Sequence, residues 1–167
     1  MQFLADTPER VHLVNVTTGE DITVLFNPSQ LEVSADVKYA RQSPPGLDHE
    51  VLQYLNTGNR QVQSLEFVMD AFFAEAQPNA PGVRDFERFL WALTVPPGGT
   101  QGAADTRPPR VLMVWPNTLT LESVVTSLRF RYTNFGIDAG PLYYVAVVSF
   151  EEVLDQRRTS EQYRKGV

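Results

Sequence analysis

From Leu31 to Tyr39 the odd positions carry Leu31, Val33, Ala35, Val37 and Tyr39, while the even ones carry Glu32, Ser34, Asp36 and Lys38. A period of two places successive side chains on opposite faces of a strand. This segment therefore predicts a strand with one dry and one wet face. A second run, Gln61 to Asp70, sets Gln63, Leu65, Phe67 and Met69 against the mixed face of Val62, Ser64, Glu66 and Val68. Between the runs, residues 40–50 are too rich in Pro and Gly for regular structure, and Leu47 after Pro44-Pro45-Gly46 is an apolar side chain in need of a partner. Residues 26–73 thus describe a half-wet sheet edged by a specific loop.

The remaining segments extend that pattern. Val11 to Val16 and Ile22 to Phe26, joined through Thr18-Gly19-Glu20-Asp21, predict a β-hairpin. Asn27-Pro28-Ser29 stops its second strand, since Pro28 cannot donate to a ladder. A helix is predicted over Val83 to Leu93, where Phe86, Phe89, Leu90 and Leu93 fall at i, i+3, i+4 and i+7. Strands follow at Arg110 to Trp115, Glu122 to Asn134 and Tyr143 to Val153, forming a meander. In the last of them Val145 and Val147 oppose Ala146, Val148 and Phe150, so both sides are expected to be covered. The fold class is mainly β with one flanking α-helix (α+β). One domain is expected over residues 1–154, with a flexible loop at 96–109 and a polar tail at 155–167.

At 167 residues and 43% hydrophobic content, the chain can enclose one core of ordinary size. A net charge of -6 argues against a nucleic-acid or anionic-membrane surface. With no cysteine there is no disulfide framework, thiolate metal site or thiol nucleophile. The first ten residues lack the basic start and apolar centre of a signal peptide, and no apolar run approaches the roughly 18 residues that cross a bilayer. Neither Sec export nor membrane insertion is expected.

The search for chemistry yields little. The two histidines, His12 and His49, lie far apart with no ligand spacing around either. Asp48 and His49 have no nucleophile elbow to serve. Pro97-Gly98-Gly99-Thr100-Gln101-Gly102 lacks the Gly-Lys-Ser/Thr ending of a phosphate loop and follows a helix where that motif needs a strand. Glu32, Asp36, Glu66 and Asp70 sit on wetter strand faces without the grouped aromatic platforms of a glycosidase cleft. No catalytic, cofactor-binding or metal residue is assigned, and no enzyme activity is expected.

An ordered series of short motifs resembles a known family. It comprises Phe26-Asn27-Pro28, the alternating strand, Pro45-Gly46-Leu47, Leu52-Gln53-Tyr54, Gly58, Leu65 to Asp70, Val83-Arg84, the helix, Pro109 to Trp115, Val124 to Leu128, and Val148-Ser149-Phe150-Glu151-Glu152. Together, over residues 10–153, they resemble the tube proteins of contractile injection systems. The resemblance implies a tail-tube-like antiparallel β-barrel or sandwich that closes into a hexameric ring by joining sheets between neighbours. Its place would be in the inner tube or in the baseplate hub between spike and tube. The expected partners are copies of the chain, neighbouring tube rings, and spike, hub and baseplate proteins, with assembly in the bacterial cytoplasm before incorporation into a phage-tail-like particle. Family members often carry a C-terminal LysM module; the residues after 154 are too few for one, which favours a bare ring or adaptor subunit. The hairpin at 136–144 also departs from the family, with Asp138-Ala139-Gly140 where a Pro-Asp-Gly turn is expected.

Pro44, Pro45, Gly46 and Leu47 are the candidate intersubunit loop. The face of Glu32, Ser34, Asp36 and Lys38 is the candidate lumen lining, chosen for its uniform polarity. Two other classes fit the same residues: a bacteriophage contractile-tail tube or baseplate protein, and a β-barrel enzyme or carbohydrate-binding module.

Overall fold

Residue Asn15 shows how local chemistry starts the sheet. Its Oδ1 accepts from Thr17 N at 3.0 Å and Thr18 N at 3.1 Å, and Gly19 takes the left-handed backbone (φ +76°) that completes the turn. The flanking strands β1 (His12–Asn15) and β2 (Asp21–Thr23) pair antiparallel with Leu13 opposite Ile22. The computed structural model describes residues 9–98, 107–155 and 159–164. Most of the expected loop at 96–109, namely residues 99–106, lies outside the described residues.

Six further strands and a two-residue edge follow: β3 (Val33–Ser34), β4 (Val37–Gln42), β5 (Val51–Thr57), β6 (Gln61–Asp70), β7 (Val111–Trp115), β8 (Leu119–Phe135) and β9 (Pro141–Glu152). A seven-stranded antiparallel sheet runs in the order β2-β1-β7-β8-β9-β6-β3, and β4 and β5 form a separate two-stranded sheet. The expected barrel needs correction, because among the described residues β2 and β3 end the order and do not pair with each other. Both edges are very short, and the chain leaves the large sheet after Ser34 to build the β4–β5 hairpin. The Leu31–Tyr39 run is therefore divided between two strands, and of its apolar residues only Leu31, ahead of β3, packs on the core.

One face of the large sheet carries the core. In register across β8, β9 and β6 lie Leu128–Val148–Leu65, Phe130–Ala146–Phe67 and Tyr132–Tyr144–Met69. Helix α2 (Val83–Ala92) lays Phe86, Phe89 and Leu90 on these rows, with Leu93 buried at its C-cap. Phe86 meets Phe67 edge to face at 5.8 Å. Burying each such side chain is worth roughly 1.5–3 kcal/mol before entropy is counted. Two further helices were not anticipated. Asp70 accepts from Phe72 N at 2.9 Å and caps α1 (Ala71–Ala76), and α3 (Ser160–Arg164) lies within the segment read as polar tail.

The alternation along β6 and β8 resets at the same level. An extra residue lies between Val62 and Leu65 on β6, where Ser64 has φ +51°, and another between Val125 and Ser127 on β8. Val62 is consequently buried, not on the outer face that a plain period of two assigns it. Ser149 on β9 sits between the bulges: its Oγ accepts from Ser64 N at 3.1 Å, and its carbonyl accepts from Thr126 Oγ1 at 3.2 Å. Along β9, Ala146, Val148 and Phe150 are buried while Val145 and Val147 are only half-covered, so the strand is dry on one side alone.

Ser149→Ala should lower stability by about 1 kcal/mol through loss of the Ser64 N acceptor, whereas Ser64→Gly, suited to positive φ, should be neutral or stabilising; urea unfolding checks both.

Candidate assembly surface

Strands β4 and β5 pair from Val37 opposite Thr57 to Gln42 opposite Val51, with a bulge beside Tyr39. Cross-strand partners share a face, so Tyr39 with Tyr54 and Arg41 with Leu52 lie together. The two tyrosine rings meet edge to face at 6.0 Å. Every residue of β5 is exposed, and of β4 only Ala40 is partly covered. Val37, Tyr39, Leu47, Leu52, Tyr54 and Leu55 are each about half exposed, a concentration of apolar surface that isolated soluble domains seldom carry.

At the hairpin tip Leu47 N donates to Pro44 O at 3.3 Å, and Gly46 adopts φ +89°, closing a tight turn. The turn fixes Leu47 outward at 50% exposure. Below it, Arg41 Nη1 pairs with Glu50 Oε2 at 3.0 Å. His49 Nδ1 contacts Asp48 Oδ1 at the same distance, and this hydrogen bond holds the exposed Asp48 carboxyl below its usual range. The loop residues Pro44, Pro45, Gly46 and Leu47 are thus brought together at one protruding end.

Glu32, Ser34, Asp36 and Lys38 are all exposed. The break between β3 and β4 divides them between sheet and hairpin. Ser34 stands opposite Gln61, and the Glu32 carbonyl accepts from Gln63 N at 3.4 Å, which places this pair at the rim of the large sheet's non-core face. The Asp36 carbonyl accepts from Gly58 N at 2.7 Å, and Lys38 opposes Asn56 within the hairpin. The non-core face itself presents Arg129–Val147–Glu66 and Arg131–Val145–Val68 in register, residues that alternation alone did not single out as a set.

Two ion-pair groups tie the ends of the sheet. Arg60 Nη2 and Nε reach Glu152 Oε1 at 2.6 and 3.1 Å, and Glu152 is 2% exposed. The bond to Glu152 raises the Arg60 pKa further, keeping the guanidinium charged. Arg110 holds Asp155 through paired bonds of 2.8 Å and also reaches Glu122 at 3.1 Å, so the Asp155 carboxyl is held below its usual range. Neither group was visible in the sequence, because the partners are far apart along it.

On the core face, Tyr144 donates to Val83 O at 2.7 Å and Tyr132 to Glu87 Oε1 at 2.6 Å. Burial raises both phenols, Tyr132 to about 12 with help from Glu87. Of the histidines, His12 Nδ1 lies 3.0 Å from Thr23 Oγ1 on the exposed hairpin. Among the described residues no cluster of three or more His, Asp or Glu side chains is arranged to hold a metal ion, and no helix is long and apolar enough to cross a membrane.

An open antiparallel sheet with one helix-covered face, one polar face and a protruding apolar hairpin defines a protein shaped for contact with other proteins. The chain belongs to the contractile injection system tube protein family, whose match covers residues 10–161. No curated protein matches it. It is a structural tube-protein component of such a system.

Arg60→Ala should destabilise the fold by about 3 kcal/mol, since it withdraws both guanidinium bonds from a buried carboxylate; chemical denaturation measures it. The pH dependence follows from Tyr132. Its folded value lies above the ordinary ~10, so its contribution is present below about pH 10 and is lost as pH rises toward about 12. Tyr132→Phe should flatten that alkaline decline in denaturant midpoints.

Proposed function

We propose that the chain is a ring subunit of the inner tube, or of the baseplate hub between spike and tube, with six copies closing the ring. The observation that carries this reading is the β4–β5 hairpin, whose apolar side chains stand exposed beside a complete core. Surface of that kind is covered in the working state by another protein. The tip residues Pro44, Pro45, Gly46 and Leu47 contact an adjacent subunit or ring, and neighbouring sheets join so that their edges are satisfied.

The helix-covered face points outward and the polar face inward. Glu32 and Ser34 continue that inner face at its rim, and Asp36 and Lys38 carry it onto the hairpin. A wet lumen gives apolar cargo no place to adhere. Charge in it acts over about 8 Å at physiological salt, so passage is favoured by weak binding. Assembly takes place in the bacterial cytoplasm, before the ring joins spike, hub and neighbouring tube rings in the particle.

Leu47→Asp should abolish assembly while leaving the subunit folded. Negative-stain microscopy with light scattering reads the first, and a thermal melt within about 0.5 kcal/mol of the parent reads the second. Normal rings from that variant would remove the hairpin tip from the interface.

A further inference from the structure

The large sheet is closed on its flanks only in its lower half. Strand β7 covers β8 from Leu119 to Ser123, and β3 covers β6 at Gln61 and Val62. Beyond those points, among the described residues, β8 from Val124 to Phe135 and β6 from Leu65 to Asp70 each have β9 on one side and no strand on the other. The two open edges bound one three-stranded blade and lie at the same height, as the row Phe130–Ala146–Phe67 shows.

Their charges are segregated by sign. On the non-core face the β8 edge carries Arg129 and Arg131, the β6 edge carries Glu66 and Asp70, and Val145 and Val147 lie between them. Asp70 already caps α1. Arg129, Arg131 and Glu66 make no ion pair among the described residues. Charged edges commonly serve only to block pairing, and for that purpose either sign on either edge would do. Segregation does more: β8 against β8 sets arginine beside arginine, β6 against β6 sets carboxylate beside carboxylate, and only β8 against β6 joins opposite charges.

We infer that the β8 edge of one copy docks on the β6 edge of the next, with Arg129 and Arg131 standing against the Glu66 column. Because the two surfaces differ, the contact is heterologous and propagates in one direction, as a closed ring requires. Both strands run antiparallel to β9, so copies standing the same way up meet with these edges parallel. Parallel pairing is the slightly weaker ladder, which leaves direction to the charge columns. A slip of two residues keeps every side chain on its face and sets Arg131 in place of Arg129 opposite Glu66. This inference rests on the ring reading above and specifies which surfaces make its seam.

Two experiments test it. In the first, Arg129→Glu/Arg131→Glu inverts one edge and Glu66→Arg the other. Each variant alone should keep the parental melt and lose rings by at least about tenfold, while an equal mixture should restore them by alternation. Unaltered assembly of either variant, or a mixture that stays dispersed, overturns the seam. The second uses the absence of native cysteine. Asn134→Cys and Val68→Cys, on separate chains, should be joined by a short bismaleimide only when mixed; cross-linking within one variant alone overturns the head-to-tail contact. Parental rings without the mixed cross-link reject this seam and leave the ring standing, whereas the absence of both parental rings and a cross-link between the mixed cysteine variants rejects both.

Discussion

The arrangement around Ser149 governs the rest of the sheet. Bulges on both neighbouring strands meet at this residue, one held by its Oγ and the other by its carbonyl. Each bulge adds one residue to its own strand while β9 keeps strict alternation. The inward-facing sets of all three strands therefore stay aligned above and below the line, as Val125–Phe150–Val62 and Leu128–Val148–Leu65 show. Without its extra residue, either strand would carry its side chains across to the opposite face on one side of the line. The line also marks where flanking cover ends, because β7 and β3 pair only below it.

Helix α2 determines which face is left for other proteins. Tyr144 and Tyr132 anchor the helix by donating to Val83 and Glu87, and their rings pack with Phe130 at 5.4 to 5.9 Å. A buried phenol without an acceptor would carry a desolvation cost, so these bonds fix the helix's position as well as its contact. With that face filled by Phe86, Phe89 and Leu90, the opposite face leaves Arg129, Arg131 and Glu66 exposed. Its Arg, Glu and Asp residues stay hydrated, and Val145 and Val147 are sheltered only by their neighbours.

The clearest local patterns were legible in the sequence. Phe86, Phe89, Leu90 and Leu93 occupy the face that their spacing assigns, and the strands near β7, β8 and β9 lie where their apolar runs place them. Alternation misled at Val62, because a bulge made by a serine at positive φ leaves no mark in a period-two count. Strand β5 was missed for a related reason. Its Leu52, Tyr54 and Leu55 mix with Gln53 and Asn56, and among the described residues its only strand partner is β4, so burial imposes no pattern on it. The lumen and loop residues were chosen from polarity and turn chemistry, and both sets are surface residues here. The opposed edge charges emerge only once pairing places Arg129 and Glu66 in one row.

The division between core and contact surface has an energetic consequence for a protein of this family. The hairpin supplies none of the buried cluster, whereas the upper edges give it Leu65, Phe67 and Met69 from one face and keep Arg129, Arg131 and Glu66 exposed on the other. Under the proposed assembly, changes at Leu47 or Arg129 would act on association, whereas the buried Phe86 and Glu152 belong to the fold itself. Exposed edges and apolar side chains would ordinarily make a chain with this shape aggregate. In the inferred seam, the opposed charge columns would answer that hazard by penalising like-edge contacts and leaving one directional pairing open. In the proposed ring, a subunit would then fold to completion alone and still present incomplete surfaces, so that closure would follow folding as a separate step.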